Sequence, residues 1–89
     1  MDDKKTDIAK RLLGVQSRCG EWGPLVANIA SAIKTGYDPQ GAPSTEREEI
    51  QALVGLARML ENMGKARVAM EIADIVEAMV NYGWDYPRA

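Results

Sequence analysis

Residues 45–82 read TEREEIQALVGLARMLENMGKARVAMEIADIVEAMVNY, and the spacing of their apolar side chains decides the fold. Ile50, Leu53, Val54, Ala57 and Leu60 recur at steps of three and four, the signature of one face of an α-helix. Thr45 and Glu48 stand at the spacing of a capping box, in which each side chain satisfies the other's backbone N–H. Glu46, Glu48 and Glu49 place negative charge on the first turn, where the helix dipole favours it. Gly64 breaks the pattern, which then resumes on Val68, Ile72, Ile75, Val76 and Met79 until Gly83 and Pro87 close it. No stretch alternates with period two, so the chain is read as all-α.

Working outward, Ile8, Leu12, Val15 and Cys19 form the apolar face of a first helix that Gly20 stops. Gly23-Pro24 opens a second, since proline at a first helical position loses no hydrogen bond. Leu25, Val26, Ile29, Ala30 and Ile33 make its face, and Gly36 ends it. The expected helices span about 3–19, 24–35, 45–63 and 65–82, with a loop over 36–44 rich in proline and glycine. They form one domain, 1–89, built as two helical hairpins in a bundle. The stretch from Leu53-Val54-Gly55-Leu56-Ala57 through Met63-Gly64-Lys65 to Ala69 resembles the helix A–turn–helix B pattern of a tetratricopeptide repeat, without its large aromatics. The resemblance implies a helical hairpin and carries no function.

The third and fourth helices hold more apolar surface than a single buried stripe requires. On the third, Ala52, Leu56, Met59 and Met63 make a second stripe beside the first. On the fourth, Ala69, Ala73, Val76 and Val80, flanked by Met70, lie beside Val68, Ile72, Ile75 and Met79. Either the first two helices cover both sides, or the second stripe meets another chain. Two short helices offer little cover, so a homodimer is expected, with Leu56, Met59, Met63, Met70, Val76 and Val80 as candidate self-association residues. Unbranched thioethers suit an adaptable contact.

Composition narrows the chemistry. A chain of 89 residues buries only roughly 60–65% of its unfolded surface. Its single cysteine forms no disulfide within the chain, and with no histidine a zinc site is not expected. Eleven basic against thirteen acidic residues leave a net charge of −2. Lys4, Lys5, Lys10, Arg11 and Arg18 concentrate in the first segment but are diluted by Asp2, Asp3 and Asp7, so nucleic-acid binding is not the leading reading. A helix-turn-helix reader over Gly64–Val80 would present Glu71, Asp74 and Glu77 to phosphates. No apolar run approaches a membrane span and no secretory core opens the sequence, so a cytoplasmic location is expected. No phosphate loop, catalytic pair or cofactor motif is visible, and Cys19 reads as a buried structural thiol. No enzyme activity and no cofactor are expected.

The five aromatics, Trp22, Tyr37, Tyr82, Trp84 and Tyr86, all lie at helix breaks. Two apolar runs end in the same phrase, Gly36-Tyr37-Asp38-Pro39 and Gly83-Trp84-Asp85-Tyr86-Pro87. Glycine and proline there stop helices, and aspartate shapes turns. The rings either cap the hairpin ends, the reading preferred for Tyr82 and Trp22, or mark a binding surface, since Trp and Tyr dominate interface hot spots. Trp22, Trp84 and Tyr86 are the candidate partner-binding residues. The expected function is a small non-catalytic protein–protein interaction module: an adaptor, chaperone-like subunit or inhibitor. The alternative is a nucleic-acid-associated regulator acting through the basic first helix.

Overall fold

The computed structural model describes residues 3–35 and 45–85; the expected loop 36–44, Tyr37 and Tyr86 lie outside the described residues. Four helices follow in order: α1 (Asp3–Gln16), α2 (Gly23–Thr35), α3 (Glu46–Asn62) and α4 (Ala66–Asn81), with a 3₁₀ turn at Gly20–Trp22. No strand occurs among the described residues. The most extensive packing is α3 on α4 and α1 on α2, so the fold is two helical hairpins. They join chiefly through α1 against α4, with a lighter contact between α2 and α3.

Both helices of the second hairpin end in the same way. Gly64 and Gly83 adopt φ of 83° and 100°, the left-handed region that costs little only for glycine. After α3, Gly64 N–H donates to Glu61 O and Lys65 N–H to Leu60 O. After α4, Gly83 N–H donates to Val80 O and Trp84 N–H to Met79 O. Each is a Schellman motif, which satisfies carbonyls a helix end would leave unpaired. At the start of α3 the expected capping box is present, with Thr45 Oγ1 accepting from Glu48 N–H and Glu48 Oε1 accepting from Thr45 N–H.

α1 ends three residues earlier than its apolar spacing predicts. Arg18 N–H bonds to Val15 O and Cys19 N–H to Gln16 O, contacts three residues back that tighten the chain into a turn. Cys19 stays fully buried and its thiol reaches Val15 O at 3.3 Å. A single core takes Ile8, Leu12, Val15 and Cys19 from the first segment, Val26, Ile29 and Ile33 from α2, and the inner faces of α3 and α4.

On α3 the buried line is Glu49, Leu53, Leu56 and Leu60, with Ile50 beside it. It runs between the two stripes drawn from sequence. Leu56 thus joins the core at 2% exposure and is no candidate for self-association. Val54 and Ala57 shift to the core's edge. The helix has rotated so that the widest side chains point inward, leaving the smaller ones at the margins.

The glycines separate backbone from packing effects. Gly83 has open space where a Cβ would sit, but its φ is 100°, so Gly83→Ala is expected to destabilise by about 1–2 kcal/mol through conformation alone. Gly55 lies mid-helix, also in open space, so Gly55→Ala is expected to stabilise by about 0.5–1 kcal/mol. Urea unfolding of the two variants checks the opposite signs.

Candidate functional site

The two hairpins place their turns at one end of the bundle and their termini at the other. At the turn end, the Trp22 indole N–H donates to the Met63 thioether at 3.3 Å, and Trp22 is half-buried against the core. Nearby, Arg18 of the first hairpin pairs with Glu71 of α4 at 2.8 Å. The buried Cys19 thiol has its pKa raised above 9.0. Burial is the main cause, aided by Glu71 and opposed by Lys65 and Arg18.

At the terminal end, Trp84 is buried at 7% exposure and its indole N–H donates to Glu49 Oε1 at 2.9 Å. Glu49 is the one buried charged side chain among the described residues. Sequence spacing assigns it to the solvated first turn of α3, because the indole donor lies beyond the next helix and leaves no local signal. Asp85 extends the same clasp: its N–H donates to Glu46 Oε1 at 2.8 Å and its carboxylate lies 3.5 Å from Arg47. The Schellman turn aims Trp84 back at Met79, and both side chains are in the core.

These positions answer the aromatic question for two rings. Trp84 closes the bundle from inside and is not an exposed partner anchor. Trp22 lies near Met63, the residue that caps the end of α3, and Trp84 near Glu49 in its first turn, fourteen positions apart, or about 20 Å along the helix axis. Trp22 and Trp84 therefore do not share one site. Tyr86 lies outside the described residues. Tyr82 caps as expected: its hydroxyl donates to Asp7 Oδ2 at 2.7 Å, and Lys4 Nζ donates to its carbonyl at 3.3 Å while sitting 5.9 Å from its ring centre.

The candidate self-association residues divide into three groups. Leu56 is core. Met59 and Met63, at 42% and 46% exposure, occupy the flank of α3 turned away from α4, the side of Trp22. Met70 and Val76 line an open groove of about 260 Å³ on the outer face of the α3/α4 hairpin. Its other lining residues are Val54, Ala57, Arg58, Glu61, Ala69 and Ala73. Val80, 37% exposed, continues the row of Ala69, Ala73 and Val76 by helical spacing. Met70 is the most exposed large apolar side chain among the described residues, at 66%. The second stripe expected on the fourth helix is thus only partly bare. Ala69 and Val76, the latter a candidate self-association residue, are buried at its inner edge, and Met70, Ala73 and Val80 stay exposed. The stripe on the third is split between core, groove and opposite flank.

The basic first segment is partly engaged within the fold. Arg11 pairs with Asp7 at 3.1 Å, Arg18 with Glu71, and Lys4 with the Tyr82 carbonyl. A second, more polar hollow lies between α1 and α4 beside Arg11, Gly14, Arg18, Glu71 and Asp74. Among the described residues no three Cys, Asp or Glu side chains cluster as metal ligands, and no helix is long and apolar enough to cross a membrane. Comparison of the chain with protein-family models, with curated proteins and with solved structures finds no match.

Two measurements follow from the terminal-end contacts. Trp84→Ala removes a buried ring and the donor to Glu49, and is expected to destabilise by roughly 3–5 kcal/mol in denaturant unfolding. The Asp7 carboxylate raises the Tyr82 pKa above 10.0, its hydrogen bond to the phenol acting first and burial second. Because the folded-state value is the higher one, this contribution to stability is complete below pH 10.0 and is lost as pH rises through the raised value. An ultraviolet titration should show one late-ionising tyrosine that moves to lower pH in Asp7→Ala.

Proposed function

We propose that the chain is a non-catalytic protein-interaction module whose contact surface is the outer face of the α3/α4 hairpin. The observation that carries this is the open groove floored by Ala57, Ala69 and Ala73 and edged by the protruding Met70. A groove between two antiparallel helices, lined by small apolar residues, suits an apolar helical face presented by another protein. A methionine at its rim adapts to the shape that arrives. Adaptors, chaperone-like subunits and small inhibitors act by such contacts, with no chemistry of their own.

The alternative, a nucleic-acid-associated regulator, draws on Lys4, Lys5, Lys10 and Arg11. Internal contacts of Lys4 and Arg11 weigh against it, because a phosphate would have to compete with Tyr82 and Asp7.

Ala73 is exposed on the groove floor, so Ala73→Glu places a charge there without entering the core. With the immobilised chain as bait, the wild type is expected to retain a protein in stoichiometric amount and Ala73→Glu to lose it. Equal retention by both would defeat the reading. Salt-dependent retention on DNA, unaffected by Ala73→Glu, would transfer support to the alternative.

A further inference from the structure

We infer that the occupant of the α3/α4 groove is a second copy of the chain, docked about a two-fold axis that crosses the groove. The inference rests on the interaction-module reading and names its partner.

Shape is the first ground. A two-fold contact uses the same patch on both copies, so the patch must be complementary to itself. This one carries both a hollow and a projection. Ala57, Ala69 and Ala73 leave the floor low, while Met70 stands at the edge with two thirds of its surface exposed. Turned through a half rotation, the Met70 side chain of each copy faces the alanine floor of the other.

Charge is the second. Arg58 and Glu61 also line the groove, and among the described residues neither side chain has an ion pair or hydrogen bond. By contrast Arg11, Arg18 and Arg47 each hold an acid. In a two-fold pair, Arg58 meets Glu61 of the partner subunit and Glu61 meets Arg58 of the partner subunit. One patch therefore yields two reciprocal ion pairs at the rim of an apolar centre, the usual layout of a protein interface.

Size sets the strength. α3 has 17 residues and α4 has 16, so the face is about 25 Å long and about 18 Å wide. A footprint of roughly 450 Å² per copy belongs to the small, transient class of interfaces. Dissociation is therefore expected in the micromolar range.

Sedimentation equilibrium on the full chain, from about 1 µM to about 500 µM, tests this. The mass should rise from 9.8 kDa toward twice that value. Ala73→Glu should abolish the rise. Arg58→Glu and Glu61→Arg should each weaken pairing roughly tenfold, since each turns two attractions into repulsions. Mixing these two charge variants should restore pairing, because all four facing charges are then opposite. Circular dichroism confirms that each variant keeps its helices. A single-chain mass throughout, a dimer indifferent to all three substitutions, or weakened singles that the mixture fails to rescue would each overturn the inference. A monomeric wild type that still loses a captured protein on Ala73→Glu would sink the second-copy inference alone and leave the interaction module standing.

Discussion

The pairing of α3 with α4 is the contact on which the other elements depend. Leu53, Leu56 and Leu60 on one helix and Ile72, Ile75 and Met79 on the other are buried together, and Gly64 turns the chain so that they meet. A sequence-local hairpin of this kind closes with little loop entropy, and it presents one apolar side to α1 and α2. Its length also sets the spacing of the two bundle ends, one carrying Trp22 and Met63, the other Trp84 and Glu49.

The terminal end shows how a small helical domain holds its margins. Tyr82, Trp84 and Asp85 follow α4 and reach α1 and α3 through three side-chain or backbone hydrogen bonds. The Trp84–Glu49 bond joins an apolar ring to a charge that would otherwise be costly to bury. Satisfying that carboxylate ties the start of α3 to the end of α4, so the hairpin is fastened at its open side as well as at its turn. What remains outside this fastening is the far face of the same hairpin, where small residues and one methionine meet solvent.

Much of this was legible beforehand, and its limits fall on particular residues. The capping box at Thr45, the breaks at Gly64 and Gly83 and the four helices are local properties of spacing and backbone conformation. α1 ends three residues before its apolar spacing does, because Cys19 continues that spacing after the chain has left the helix. The side chain still points inward, so periodicity cannot distinguish a helical residue from a turn residue with the same destination. The burial of Glu49 is not legible in the sequence, because an acidic residue in a first turn is already explained by the dipole, and nothing local signals an indole donor 35 positions away. Leu56, placed with Met59 and Met63 by its spacing, was separated from them by a modest rotation of α3.

The sequence by itself determined that the chain is helical, where its hairpins turn, and that α4 carries more apolar surface than one core needs. These follow from interactions within about four residues, which repeat with the helical period. Only the tertiary structure decided which apolar stripe is buried, that Trp84 faces inward and lies far from Trp22, and that Met59 and Met63 are on a different side from Met70. Those outcomes depend on the rotation of each helix about its axis, which is set by how neighbouring side chains fill shared space. That competition among residues distant in the chain leaves no mark in any one segment.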